Sequence, residues 1–253
     1  MMIIPEIRGF PGSERLWRLV DGQALAALFQ GKKNVVLLGE AGCGKSEIAI
    51  NLAVYLASSG EKPVHFFDLD QTKPLFRSRD VAQMLQERGV TLHYQDQLLD
   101  APTLVGGVTQ SLLAQDRYTI LDVGGNDTGA RMIGGFAQIL NREDCLILYV
   151  VNPYRPWSRD ILAIDGTMSA ILRVSRLKSF RLLGNPNLGP DTTAEEFLEG
   201  CRQLAEILSP YATVHGACVE QSLYPQVQSL AGMPLFPLRL YLTYPWSQGM
   251  AHS

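Results

Sequence analysis

Eight consecutive residues carry the clearest chemistry in the chain: Gly39-Glu40-Ala41-Gly42-Cys43-Gly44-Lys45-Ser46. They satisfy the spacing G-x-x-x-x-G-K-[ST] in full, the pattern of a loop that cradles the phosphates of a nucleoside triphosphate. The glycines let the backbone bend until its N–H groups face phosphate oxygens. The helix that follows adds the positive end of its dipole. Lys45 is expected to reach the β- and γ-phosphates and Ser46 to place its hydroxyl on magnesium. Candidate nucleotide-binding positions therefore run from Gly39 through Ser46 to Glu47, with Cys43 read as a small tolerated residue.

Three carboxylates stand where a phosphate loop needs them. Asp122 closes the apolar run Tyr118 to Leu121 and precedes Val123-Gly124-Gly125. A strand-end aspartate there would help hold magnesium, and the paired glycines would let the next segment approach the γ-phosphate. Asp68 and Asp70 follow a second apolar run, and strand alternation turns both the same way. Asp68 is the candidate metal ligand and Asp70 the candidate for orienting the attacking water. Lys45, Asp70 and Asp122 form the expected catalytic set, and Ser46, Asp68 and Asp122 the expected metal set.

The elements that must position these groups alternate in type. Apolar strand-like runs at 34–38, 64–67, 91–94, 118–121, 145–151, 179–183 and 212–218 are separated by helical spacing at 45–59, 79–88, 103–115, 128–140, 157–175 and 193–208. The last helix opens on Thr192 or Thr193 followed by Glu195 and Glu196, a capping signature. Strands apolar at successive positions are buried on both faces, and strand–helix alternation implies a mostly parallel, doubly wound α/β sheet with helices on both faces. Such sheets bind ligands at the carboxyl ends of their strands. Residues 14–29 read as an amphipathic helix, so that 1–32 form an N-terminal helical extension to a single domain over 1–253. Ala231-Gly232-Met233-Pro234 and Tyr244-Pro245-Trp246 mark loops.

Composition narrows the classes. Hydrophobic residues make up 46% of the 253, and charged residues 19%, which argues against disorder. Net charge is −3 and the pI about 5.8, with no dense Lys/Arg cluster, so nucleic acid is an unlikely partner. Cys43, Cys145, Cys201 and Cys218 contain no Cys-x-x-Cys pair, and His65, His93, His215 and His252 show no metal-ligand spacing. The start of the chain lacks a signal-peptide pattern, and no apolar stretch is long enough to cross a bilayer. A soluble cytoplasmic protein is expected. Tyr154-Arg155-Pro156-Trp157 is unusual and suits either a partner or substrate contact or an aromatic loop anchor.

The loop at 39–46, the Asp68-x-Asp70 pair, Asp122 with its glycines, and the late Asn185 together resemble the MinD/ParA group of P-loop ATPases. That group includes the nitrogenase iron protein and maturation ATPases such as CooC. The resemblance spans most of 33–235. It implies ATP with Mg²⁺, a homodimer when ATP is bound, a γ-phosphate that controls the dimer, and contact of Asn185 with adenine. One position departs from the pattern: the group carries a second lysine after the first loop glycine, reaching the partner's nucleotide, where this chain has Glu40. Lys73, Arg77 and Arg79 are candidate substitutes. At the base, Asn185-Pro186-Asn187-Leu188 lacks the Asn-Lys-x-Asp of guanine-specific sites, which favours ATP. The expected function is an ATPase switch acting on a protein partner in metalloenzyme maturation, positioning or assembly. Alternatives are a small-molecule kinase or ATP-dependent ligase, and a nucleotide-binding regulator with little turnover.

Overall fold

The structure, a computed structural model, describes residues 28–70, 81–93 and 107–242. Among the described residues, eight strands form one sheet: β1 (Asn34–Leu38), β2 (Val64–Asp68), β3 (Val90–His93), β4 (Tyr118–Asp122), β5 (Cys145–Val151), β6 (Arg181–Gly184), β7 (Val214–Glu220) and β8 (Leu235–Leu238). Their order is β3-β2-β4-β1-β5-β6-β7-β8, and every neighbouring pair is parallel. The helices are α1 (Lys45–Ser59), α2 (Ala82–Glu87), α3 (Val108–Leu113), α4 (Asp127–Ile133), α5 (Ala137–Leu140), α6 (Ile161–Ser175), α7 (Ala194–Leu208) and α8 (Tyr224–Val227).

β1 and β5 are buried at every position because helices cover both faces. Side-chain alternation along β1 divides the core. Val35 and Leu37 pack with Ile48, Leu52 and Phe66, whereas Val36 and Leu38 pack with Ile147, Ile164 and Leu204. Each such side chain, fully buried, is worth about 1.5–3 kcal/mol against exposure. The chain winds from β1 towards β2 and β3, returns through β4, then continues to the other side through β5 to β8. The reversal lies at β4, β1 and β5, and it opens a crevice at their carboxyl ends.

The strand and helix spacing of the sequence reappears, with most element ends shifted by a few residues and four further differences. The helix expected over 128–140 is three pieces, α4, a 3₁₀ turn at Gly134–Phe136, and α5. Gly134 and Gly135 interrupt it, since glycine is a poor helix former. The helix expected from 157 begins at Ile161, after a 3₁₀ turn at Pro156–Ser158, where Asp160 accepts a hydrogen bond from Ala163 N and caps α6. β7 runs on to Glu220 and is not the last strand. β8 was not expected, because Pro237 argues against a strand; it is tolerated here because β8 is the sheet edge. Of the helix expected over 14–29, residues 14–27 lie outside the described residues, as do Lys73, Arg77, Arg79 and Tyr244-Pro245-Trp246.

The segment after β8 is tied to α1. Asn51 donates through Nδ2 to Arg239 O at 2.9 Å and accepts from Arg239 N at 2.9 Å. One turn earlier on the same face, the Glu47 carboxylate accepts from Tyr241 N at 2.5 Å and Leu242 N at 3.2 Å. Among the described residues, no helix is long and apolar enough to cross a membrane.

Candidate functional site

β1 delivers the chain into the loop at Gly39, and α1 leads it out at Lys45. Gly44 sits in the left-handed region at φ 97°, and a Cβ there would overlap the Asn185 amide nitrogen, so glycine is required twice over. No side chain caps α1, which leaves its first N–H groups turned into the crevice. Lys45, buried, donates through Nζ to Glu40 O at 2.9 Å and so lies folded against the loop it serves.

Register brings the carboxylates beside the loop. Asp68 at the end of β2 is the direct partner of Asp122 at the end of β4, and Asp122 stands level with Leu37 on β1. Asp122 is fully buried, and neither of its oxygens makes a hydrogen bond of full geometry. Burial, then the neighbouring Asp68 charge, push its carboxyl up to about 7; the Ser46 hydroxyl and Lys45 pull the other way. Asp70 adds to this acidic cluster and is itself only half-buried, at the crevice. A hydroxyl and two carboxylates are hard oxygen donors, and their crowding favours a divalent cation between them. Ser46, Asp68 and Asp122 therefore fit Mg²⁺. Among the described residues no group of three or more His, Cys, Asp or Glu side chains is placed to hold a metal ion by itself.

Gly124 and Gly125 bring the segment after β4 against the phosphate loop and Asp70. A Cβ on Gly125 would lie 2.6 Å from Ala41 N and Cα, and one on Gly124 would lie 3.3 Å from an Asp70 carboxylate oxygen. Only glycine permits the β4–α4 segment to press against the phosphate loop. Asn126 then caps α4 by accepting from Gly129 N at 2.7 Å.

On the other side of the loop, a cavity of about 550 Å³ extends from Lys45 and Ser46 to the ends of β6, β7 and β8. Its far end is walled by Leu188, Leu223, Leu238 and Leu240, with Glu220 as the one carboxylate there. That carboxylate already accepts from Ser222 N and from the Ser222 hydroxyl. Asn185 touches the site, and its amide donates to Cys43 O at 2.7 Å, bracing the loop. The Glu47 carboxylate, in contrast, is directed at Tyr241 and Leu242, and burial raises it to about 7.

Two residues of the site were not singled out by the sequence. Asn152 is wholly buried at the end of β5, donating to Asn187 O at 2.8 Å and accepting from Tyr154 N at 3.1 Å. A signal for it existed: Asn-Pro follows both β5 and β6, at 152–153 and at 185–186. Glu220 escaped because the strand was read as ending at Cys218.

No family model and no curated protein matches the chain. Among solved structures it is similar to the 54 kDa signal recognition particle protein from Aeropyrum pernix in complex with GDP, at 17% identity and a TM-score of 0.49, over 74% of this chain and 41% of that one. It is also similar to chloroplast FtsY from Physcomitrella patens, at 12% identity and a TM-score of 0.49, over 78% and 63%. A third is FlhF complexed with GMPPNP and Mg²⁺, at 15% identity and a TM-score of 0.38, over 63% and 59%. The match spans less than two thirds of each of these proteins. The α/β P-loop NTPase fold follows from the sheet order and from the strand–loop–helix at its centre.

Proposed function

We propose that the protein is a magnesium-dependent ATPase that works as a nucleotide-driven switch for a protein partner, in the manner of the MinD/ParA group. The observation that carries this reading is the convergence of an uncapped α1, a buried Lys45 and the Ser46–Asp68–Asp122 cluster on one crevice. A magnesium triphosphate suits all three: its oxygens accept from the open N–H groups and pair with Lys45, and its Mg²⁺ sits with the acids. Asp70 orients the attacking water. Gly125 against Ala41 and Gly124 beside Asp70 couple the γ-phosphate position to α4, which is how hydrolysis would reposition a surface. The ATP-bound form is a homodimer, and the chain is a single cytoplasmic domain.

The base is adenine. Asn185 contacts it through the face of its amide group not spent on Cys43, and the apolar leucine walls accept its ring. A guanine reading would lean on Glu220, the carboxylate at that end of the cavity. Its Oε2 is committed to Ser222, which leaves only Oε1 for that role. Thermal unfolding with Mg²⁺ and either nucleotide at equal concentration tests the choice: ATP should raise the midpoint more than GTP. An equal or larger rise with GTP overturns the adenine assignment, and no rise with either overturns the site.

A further inference from the structure

We propose that Arg155 is a second phosphate-binding cation of this site, supplied by the loop after β5 and contacting the α- and β-phosphates. The inference rests on the nucleotide-binding reading above. Arg155 Nε donates to Gly42 O at 3.1 Å, at the crown of the phosphate loop. That bond uses one of the five donors of a planar guanidinium and leaves two nitrogens beside the cavity that Arg155 borders. Among the described residues, no ion pair engages it.

The loop backbone that carries this side chain is tied down at several points. Arg155 N donates to Asn152 O at 3.1 Å, Ser158 N donates to Arg155 O at 2.9 Å, and the Tyr154 hydroxyl donates to Glu196 O at the start of α7. A preorganised guanidinium loses little freedom when it takes up a phosphate, and its flat fork matches two phosphate oxygens. Two residues on, the Trp157 indole N–H is enclosed without a partner on the same cavity and offers a neutral donor beside the charge.

Among the described residues, Lys45 and Arg155 are the two cations that border the cavity. Their places along the sheet differ. The metal carboxylates stand on β2 and β4, to one side of β1, while the leucine-walled pocket lies at β6 to β8 on the other side. A nucleotide must run between them, γ-phosphate towards β4 and base towards β7. Arg155 follows β5, between the loop and the base pocket, and so faces the α- and β-phosphates and not the γ.

Calorimetric titration with ADP and with a non-hydrolysable ATP analogue tests this on four proteins: unsubstituted, Arg155→Ala, Arg155→Lys and Arg155→Gln. Both ligands should bind Arg155→Ala about tenfold more weakly, by the same factor, as for loss of one charge-assisted contact. Lysine should recover part of the loss. Glutamine keeps a donor for Gly42 O without the charge and should stay weak. Full affinity in Arg155→Gln would show that Arg155 only props the loop, and overturns the proposal. So would a loss confined to the ATP analogue, which would move the contact to the γ-phosphate. If Arg155→Ala fails to fold, the Lys and Gln pair carries the comparison. Failure of the unsubstituted protein to bind either ligand would instead overturn the nucleotide reading.

Discussion

The first turns of α1 and α7 are built oppositely. α7 is closed: Thr193 Oγ1 accepts from Glu196 N, and the Glu196 carboxylate accepts from Thr193 N, a complete capping box. α4 and α6 are capped likewise, by Asn126 and Asp160. α1 begins on a left-handed glycine with no side-chain cap at all. Capping is worth about 1 kcal/mol, so a helix that forgoes it gives up stability. α1 compensates by burial, with ten of its fifteen residues buried, seven of them apolar and in the core. α3 also begins on a left-handed glycine, Gly107, without a side-chain cap; what sets the α1 end apart is the buried Lys45 and the Asp68–Asp122 pair beside it.

The largest effect that should sharpen this comparison comes from Lys45→Ala. It leaves the open turn without its cation, and affinity for a non-hydrolysable ATP analogue should fall by about a hundredfold or more, roughly 3 kcal/mol. Calorimetry would break the assignment if affinity stayed the same.

Next is Asp70→Asn. Binding should persist while hydrolysis slows by roughly a hundredfold, as for loss of a positioned base. Single-turnover hydrolysis of pre-bound ATP reads this directly; matching rates would pass the water-positioning role to Asp68 or Asp122.

A smaller effect concerns pH. The folded state holds the Asp122 proton up to about 7, whereas the unfolded chain releases it near 3.8. The folded state therefore binds more protons across that window, and this group's contribution makes stability fall as pH rises through it. Magnesium needs the charged form, so Mg²⁺-nucleotide affinity should rise from about pH 6 to 8. Asp122→Asn should flatten the dependence of unfolding midpoint on pH. A dependence that survives unchanged would point to Glu47, raised to the same range by burial.

The smallest effect belongs to the closed helix. Thr193→Ala should cost about 1 kcal/mol, roughly 2–4 °C in a chain of this size, with nucleotide affinity unchanged. A fall in affinity would mean that the two helix ends are coupled, through the Tyr154 bond to Glu196 O.

Much of this molecule was legible before any coordinates. The phosphate loop is contiguous, so its eight residues announce themselves by spacing alone. The buried strands β1, β2, β4 and β5 are short apolar runs whose pattern does not depend on partners, and the Thr193–Glu196 box is local in the same way. Helix ends were less legible, as at 128–140, because paired glycines and 3₁₀ turns shift a boundary without erasing the periodicity. β8 was hidden because Pro237 is acceptable only on an edge, and edges belong to the sheet. Contacts between residues distant in sequence were decided by tertiary structure alone. Strand register placed Asp68 beside Asp122, and burial in their shared crevice raised the Asp122 carboxyl. The crossing of β5 next to β1 brought Arg155 to Gly42 O, and the fold turned the Glu47 carboxylate to Tyr241 and Leu242, 194 and 195 residues away. Spacing records what a residue can do within one or two turns of chain, whereas charge and partners depend on which strands the sheet sets side by side.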